Sequence, residues 1–238
     1  MKAVILAGGL GRRLRPFTEV IPKPLLPVGE SSVLEIQILS LKKCGVTEIF
    51  IASNYKSEVV RAFLEQGKHY GIPITVSEES EPLGTCGPVK LLRDRLTEPF
   101  LLINGDILTT LDFRRLFGFS SGLEANLIVV TREYVTPFHF GKVAGEGDYL
   151  VEVEEKPDLR IEILAGIYVL KPPVFDLIPD HTYYGIDSLI KDMLARQLRV
   201  GRYRMKDYWL DIGQMNDYQA AQEAYKTHFV GLKEGSRD

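Results

Sequence analysis

Short apolar runs alternate with amphipathic segments along the first half of this chain. Continuous apolar runs bounded by turn residues are typical of buried strands, and they predict strands over 2–7, 47–53, 73–77, 99–104 and 125–131. Apolar residues three or four positions apart, as at Leu34, Ile38 and Leu41, are typical of helices. This spacing predicts helices over 32–44, 57–69, 85–96 and 112–118.

The pattern changes near residue 140. The later segments predict antiparallel strands over 140–144, 148–154 and 161–170, helices near 173–178 and 186–196, a strand over 199–205 and a helix over 215–227. Strands separated by helices indicate βαβ units with a mostly parallel sheet. We therefore predict an α/β fold: a three-layer α/β/α arrangement with a mostly parallel, Rossmann-like sheet and a smaller antiparallel β part. We expect one domain over 1–238, with parts of about 1–135 and 136–230.

Composition excludes several classes of protein. The length of 238 residues suits one large domain, and a net charge of −3 provides no basic field for nucleic acid. No apolar run is long enough to span a membrane, so we expect neither a nucleic-acid nor a membrane partner. Cys44 and Cys86 form no disulfide framework and no metal-ligand spacing, which favours a reducing, cytoplasmic location.

The first 28 residues carry the strongest chemical signal. The first predicted strand ends in glycines, which bring bare backbone N–H groups close to a ligand. Arginines at 12, 13 and 15 and a lysine between two prolines, Lys23, follow, which indicates a polyanion such as a nucleoside triphosphate. A P-loop is excluded because no Gly-Lys-Ser/Thr follows, and the Rossmann fingerprint is excluded because its third glycine position holds Leu14.

Six blocks together carry a family resemblance. They are GGLGRRLRPFT (8–18) with PKP (22–24), EPLGT (81–85), NGD (104–106), VEEKP (153–157), AGIYV (165–169) and WLDIG (209–213). Taken together, these blocks make the chain resemble the sugar-1-phosphate nucleotidyltransferases, also called nucleotide-sugar pyrophosphorylases. The resemblance extends over nearly the whole length of the chain. The resemblance implies the fold of the nucleotide-diphospho-sugar transferases, reduced here to a minimal catalytic domain.

The implied reaction transfers a nucleoside monophosphate from a nucleoside triphosphate to a sugar 1-phosphate and releases pyrophosphate. A phosphate monoester is already ionised at neutral pH, so the nucleophile needs no general base. The remaining task is electrostatic, which explains why Lys, Arg and Asp dominate the candidate site. Mg²⁺ is the expected cofactor, since it binds through one or two carboxylates together with phosphate oxygens.

The resemblance assigns roles residue by residue. The catalytic residues it implies are Arg13, Lys23 and Asp106. The metal ligands are Asp106 and Asp211. The nucleotide-binding residues are Leu6, Ala7, Gly8, Gly9, Gly11, Arg13, Lys23, Glu79, Gly84 and Thr85. The sugar-phosphate-binding residues are Asn104, Gly141, Glu155, Lys156 and Gly166, in the part that begins near residue 136 and in the NGD block.

Several alternatives stay open. Arg12 replaces the usual Thr or Ser of the signature, which leaves open whether Arg12 or Arg13 points inward, although the family spacing favours Arg13. The block over 208–218 resembles a branch of the family in which guanylyltransferases for mannose-type or amino-sugar phosphates occur, and Glu79 is compatible with the donor edge of guanine. The resemblance therefore favours GTP with a mannose-, heptose- or glucosamine-type sugar 1-phosphate. A uridylyl-, cytidylyl- or thymidylyltransferase is the alternative within the family, and a non-catalytic regulatory module is the alternative outside enzymes. A homo-oligomer is compatible with the sequence.

Overall fold

The computed structural model describes residues 1–65, 70–79 and 81–232. Its strands are β1 (Lys2–Leu6), β2 (Pro27–Val28), β3 (Ser31–Ser32), β4 (Glu48–Ser53), β5 (Ile74–Glu78), β6 (Phe100–Asn104), β7 (Ile107–Thr109), β8 (Leu127–Pro137), β9 (Lys142–Glu146), β10 (Tyr149–Glu154), β11 (Asp158–Leu170), β12 (Val200–Arg204) and β13 (Trp209–Asp211). Its helices are α1 (Phe17–Val20), α2 (Val33–Lys43), α3 (Ser57–Glu65), α4 (Gly87–Lys90), α5 (Phe113–Ser121), α6 (Ile186–Ala195) and α7 (Met215–Ala224). Short 3₁₀ helices span Arg12–Leu14, Lys23–Leu25 and Pro172–Asp176, and a π-helical turn spans Tyr225–Phe229.

A central sheet organises the molecule. Within the described ranges it has seven strands in the order β12-β8-β11-β6-β1-β4-β5. β1 pairs in parallel with β4 and β6, β5 pairs in parallel with β4, and β12 pairs in parallel with β8. β11 runs antiparallel between β6 and β8. The prediction of a mostly parallel sheet is therefore confirmed.

Two apolar layers cover the sheet, because successive side chains of a strand point to opposite faces. Ala3 and Ile5 of β1 face a buried cluster to which α2, α3 and α5 contribute. Val4, between them, faces a second cluster to which α4 and α6 contribute. The three predicted α/β/α layers are thereby confirmed. A third cluster lies beneath α7 and joins it to the 3₁₀ helix that holds Leu14.

The sequence-predicted strands 2–7, 47–53, 73–77, 99–104 and 199–205 are each found within one residue of their predicted bounds. The strand predicted over 125–131 instead runs to Pro137, because β11 supplies backbone partners as far as the pair Asp158↔Pro137. The division expected near residue 135 thus falls inside β8. The predicted helix 57–69 is α3 as far as Glu65, and residues 66–69 lie outside the described residues.

Two helix predictions need correction. The helix predicted over 85–96 is an α-helix only over Gly87–Lys90. Beyond it the hydrogen bonds tighten to three-residue spacing, as from Leu92 N–H to the Val89 carbonyl oxygen at 3.0 Å, which gives separate turns. The segment predicted near 173–178 is the 3₁₀ helix Pro172–Asp176.

The antiparallel part projects from the sheet as an arm. We use the name arm for residues 132–163, comprising the outer ends of β8 and β11 together with the two-stranded antiparallel sheet of β9 and β10. Every residue of β9 and of β10 is exposed. The predicted smaller antiparallel part is confirmed. Among the described residues, none of the helices has the length and apolar character that a membrane crossing requires.

The start of α2 provides a test of this local structure. The Ser32 hydroxyl oxygen accepts the backbone N–H of Glu35 at 3.1 Å and so caps a buried helix end. Ser32→Ala should lower the free energy of unfolding by about 1 kcal/mol in urea denaturation, because that N–H loses its partner. The control is Ser121→Ala at the exposed end of α5, which should change stability by less than about 0.5 kcal/mol. Equal effects of the two variants would contradict the capping role.

Candidate active site

A cleft of about 320 Å³ lies at the carboxyl ends of β1, β4 and β6. Open α/β sheets bind ligands at these strand ends, where the loops from neighbouring strands converge. The lining residues are Leu6, Gly8, Gly9, Ala52, Asn54, Glu79, Pro82, Leu83, Gly84, Thr85, Asn104, Gly105, Asp106 and Tyr183. Eight of the sequence-predicted site residues are among them. They are Leu6, Gly8, Gly9, Glu79, Gly84, Thr85, Asn104 and Asp106.

Glycines in the first loop permit close approach of the backbone. A Cβ at Gly8 would lie 3.4 Å from Oε1 of Glu79, and Gly9 has open space around its Cα. Gly11 has φ +59°, and a Cβ there would lie 2.7 Å from Cγ2 of Thr18. Thr18 fixes this turn because its hydroxyl donates to the Gly11 carbonyl oxygen at 2.8 Å. Ala7 remains part of the sheet, since its N–H donates to the Ala52 carbonyl oxygen at 2.7 Å.

A pair of short strands brings two distant carboxylates together. β7 and β13 pair antiparallel, which places Asp211 opposite Ile107, the residue after Asp106. The backbone N–H of Ile212 also donates to the Asp106 carbonyl oxygen at 3.0 Å. The neighbouring Lys23 forms an ion pair with the Asp106 carboxylate. The structure thus assembles one lysine and two aspartates from three separate parts of the chain.

Arg13 joins this charged cluster. A Cβ added to Gly213 would lie 3.4 Å from Nη2 of Arg13 and 3.3 Å from Oδ2 of Asp217, so the guanidinium lies over the bare glycine. Asp217 in turn accepts the N–H groups of Gly213 and Gln214, at 3.1 and 2.9 Å. The structure thus brings Arg13 to this cluster; Arg12 and Arg13 are both exposed residues of the same 3₁₀ helix.

The electrostatics of the two aspartates suit a cation. Burial, and next the charge of Asp106, raise the pKa of Asp211 to about 6, although Lys23 and Arg13 oppose the shift. One carboxylate oxygen of each aspartate, Oδ1, is buried without a hydrogen-bond partner. Such oxygens fit a divalent cation that takes two carboxylates and completes its coordination with phosphate oxygens and water. The described residues contain no cluster of three or more His, Cys, Asp or Glu that could hold a metal alone.

Glu79 and the loop after it line the opposite wall of the cleft. Glu79 is buried, and its Oε2 accepts the N–H of Leu83 at 3.1 Å. Burial raises the pKa of Glu79, and the Leu83 hydrogen bond partly offsets this. Gly84 has φ +80°, and a Cβ there would lie 2.8 Å from the Tyr184 carbonyl oxygen. The Thr85 hydroxyl oxygen accepts the N–H of Ile186 at 2.6 Å, so Thr85 ties this loop to the start of α6.

The residues that the resemblance assigns to the sugar phosphate fall into two groups. Gly166, with φ +69°, packs against Asn104, since a Cβ there would lie 2.8 Å from Nδ2 of that side chain. The second group lies on the arm. A Cβ at Gly141 would lie 3.4 Å from Oε2 of Glu155, and Lys156 pairs with Glu155 at 3.8 Å. This second group does not line the cleft.

Six lining residues of the cleft are not among the sequence-predicted site residues, and two of them, Asn54 and Tyr183, carry polar side chains. Asn54 follows β4 and donates from Nδ2 to the Glu79 carbonyl oxygen at 2.9 Å. Its place at the carboxyl end of a buried strand is the signal that could have identified it. Tyr183 lies at the rim of the cleft and is exposed. A larger groove, of about 540 Å³, runs along β5 and α3, but it contains none of the sequence-predicted site residues.

Comparison with known proteins identifies the family. A family model described as nucleotidyl transferase matches residues 2–228. The chain therefore belongs to the nucleotidyl transferase family, and the family prediction is confirmed. It is 38% identical over 227 residues to a probable mannose-1-phosphate guanylyltransferase 1 of Oryza sativa subsp. japonica, covering 92% of this chain and 63% of that protein. It is 34% identical over 249 residues to a mannose-1-phosphate guanyltransferase of Neurospora crassa, covering 100% of this chain and 67% of that protein.

Solved structures share the fold. A putative glucose-1-phosphate thymidylyltransferase from Bacillus anthracis has a TM-score of 0.76 at 27% identity, with 94% of each chain covered. HddC from Yersinia pseudotuberculosis, complexed with GMP-PN, has a TM-score of 0.72 at 26% identity, with 94% of this chain and 99% of that chain covered. The chain spans slightly less than two thirds of the length of the rice relative.

The raised pKa of Asp211 has a measurable consequence for stability. From its usual 3.8 to its folded value of about 6, the folded chain holds a proton that the unfolded chain releases, so stability falls as pH rises through this interval. In chelator, Asp211→Asn should therefore raise the melting temperature at about pH 7 and change it little at about pH 4. Scanning calorimetry measures both values. The exposed carboxylate variant Asp148→Asn is the control, and equal gains for Asp211→Asn at the two pH values would contradict the assignment.

Proposed function

We propose that the chain is a sugar-1-phosphate nucleotidyltransferase. The observation that carries the proposal is the assembly of Lys23, Asp106 and Asp211 beside a glycine-lined cleft at the carboxyl ends of parallel strands. Lysine, arginine and a carboxylate-bound cation are the groups that stabilise charge during phosphoryl transfer. The family membership and the guanylyltransferase names of its relatives support the same reaction.

In the proposed reaction a phosphate oxygen of the sugar 1-phosphate attacks the α-phosphorus of the nucleoside triphosphate. The new P–O bond forms as the bond to the β-phosphate bridging oxygen breaks, and pyrophosphate leaves with the electron pair. Arg13 and Lys23 bind the triphosphate and counter the charge that develops as it reacts. Residues of about 1–135 hold the nucleotide, and residues of about 136–230, with Asn104, hold the sugar phosphate within one domain.

Members of the family generally use a divalent metal ion, and we infer that this chain uses Mg²⁺. Asp106 and Asp211 would hold it through their unpartnered oxygens. The bound cation supplies charge neutralisation between two anionic substrates. Asp106→Asn and Asp211→Asn should each lower kcat by roughly a hundredfold or more.

Release of pyrophosphate tests the activity directly. The intact chain is supplied with Mg²⁺, each of GTP, UTP, CTP and dTTP, and each of mannose, heptose, glucosamine and glucose 1-phosphates. We expect turnover that depends on both substrates and stops in excess chelator. Binding of nucleotide without pyrophosphate release from any pair would favour a non-catalytic module instead. Full turnover in chelator would refute the metal assignment.

Substitution of two lysines should affect different kinetic constants, one the rate of the chemical step and the other the binding of substrate. Lys23→Ala should mainly lower kcat, because its charge acts most as the transition state develops. Lys156→Ala should raise KM for the sugar phosphate by about tenfold or more, since it loses one charged contact to phosphate. Lys142→Ala, an exposed lysine of the same arm that pairs with Glu154 at 3.4 Å, is the matched control and should leave both constants unchanged. Initial-rate kinetics in both substrates decide this, and a rise in the nucleotide KM alone for Lys156→Ala would refute its assignment.

GTP is the proposed nucleotide. The buried Glu79 lines the cleft, and a carboxylate can accept from the N1–H and the amino group of guanine. The guanylyltransferase names of the relatives support the same base, and mannose 1-phosphate is the leading sugar phosphate on the same ground.

Glu79→Gln tests the base assignment. Losing a charged contact typically costs about 1.5–3 kcal/mol, so kcat/KM for GTP should fall about tenfold or more while that for UTP changes little. The adjacent Glu78 is an exposed carboxylate that pairs with Arg61, which makes Glu78→Gln the matched control. An equal loss of kcat/KM with every nucleotide would show that Glu79 supports the structure of the loop and does not recognise the base.

A further inference from the structure

A buried amide supports the turn that carries Asp106. Gln37 lies in the middle of α2, where its neighbours Ile36 and Ile38 are buried apolar residues, and it is itself only 4% exposed. Burying a polar amide is unfavourable unless its hydrogen-bonding groups find partners. The burial of this polar side chain therefore calls for a physical reason.

The Gln37 amide donates both of its hydrogens to carbonyl oxygens of one turn. Nε2 donates to the Asn104 carbonyl oxygen at 2.9 Å and to the Ile107 carbonyl oxygen at 2.8 Å. These carbonyls flank Gly105 and Asp106, so the amide spans the turn between β6 and β7. The orientation is unambiguous, because a flipped amide would place its own oxygen against two carbonyl oxygens.

Other hydrogen bonds also hold this turn. On the side that faces α2, its carbonyl oxygens are bonded by Gln37. The Gly105 N–H donates to the Leu6 carbonyl oxygen at 2.9 Å, and the Asp106 carbonyl oxygen accepts from Ile212 at 3.0 Å. A Cβ at Gly105 would lie 2.5 Å from the Leu6 carbonyl oxygen, so the turn is tightly seated against β1. Loss of the amide donors would leave two buried carbonyls to find other partners, and the turn would have to shift.

The remaining atom of the amide argues against a role in stability alone. Oε1 of Gln37 is buried without a hydrogen-bond partner. An apolar side chain of similar size would leave no such unpaired oxygen on this helix, so the amide carries a cost that its two donated bonds must offset. Those two bonds act on the Asp106 turn.

We propose that Gln37 is a positioning residue that fixes the Asp106 carboxylate between Lys23 and Asp211 by bridging the carbonyls on either side of its turn. The proposal rests on the function proposed for Asp106. Carboxylates that act on a reacting centre must be held within about 0.5 Å, which a rigid helix achieves better than a loop. Gln37 thereby ties this turn to the helix α2 through two hydrogen bonds.

The test uses Gln37→Leu and Gln37→Met in the intact chain, since both remove the donors at similar volume. Hydrogen exchange should show the protection of the Gly105 and Ile212 amides reduced about tenfold or more relative to amides of β1 and β4. With the productive substrate pair, kcat should fall about tenfold or more while KM for the nucleotide stays within about twofold. The second variant keeps the test available if one of them does not fold.

Ile38→Val is the matched control, because Ile38 is fully buried on the same helix and makes no hydrogen bond through its side chain. It should lower the melting temperature without changing exchange at Gly105 or kcat. Normal exchange at Gly105 and Ile212 in both Gln37 variants, or reduced protection with unchanged kcat, would overturn the proposal. If no substrate pair reacts with the wild-type chain, the proposed function fails, and the exchange measurement alone decides whether Gln37 holds the turn.

Discussion

Two carboxylates held against each other are the constraint on which the rest of the site depends. The pairing of β7 with β13 brings Asp211 beside the Asp106 turn, and burial strengthens the repulsion between the two charges. Burial, and next the charge of Asp106, raise the pKa of Asp211 to about 6. Lys23 pairs with Asp106, and Arg13 lies over Gly213 nearby, so both cations reduce the unfavourable field. A bound cation would reduce this field further.

The close approach of these chain segments explains where glycine is required. A Cβ at Gly105 would lie 2.5 Å from the Leu6 carbonyl oxygen, so the backbone would have to shift, and a Cβ at Gly213 would lie 3.4 Å from Nη2 of Arg13. The surrounding supports are equally specific. The indole N–H of Trp209 donates to the Ala165 carbonyl oxygen at 2.7 Å, and Arg132 donates to the Trp209 carbonyl oxygen at 2.9 Å while stacking over its ring. These contacts anchor β13, and hence Asp211, to the main sheet.

The two halves of the proposed site differ in how firmly the fold holds them. The nucleotide side is built on buried parallel strands, and its loop is tied to α6 through Thr85. The residues Glu155 and Lys156 instead belong to the exposed arm, whose strands β9 and β10 bury no residue. Elements with few buried contacts open at low free energy, so the arm can change its position with little loss of buried surface.

The sequence by itself determined the α/β class, the strands β1, β4 and β6, helix α2, the glycine loop and the family, because these depend on local patterns and short motifs. It also identified Asp106 and Asp211 as a pair, through the resemblance. Only the tertiary structure showed that Arg13 lies over Gly213, that Thr85 bonds to α6, and that Gln37 bridges the Asp106 turn. β7 and β13 have three residues each, too few to show a period, and their pairing joins positions far apart in the chain. Contacts of that kind depend on how the whole chain packs, and no local pattern encodes them.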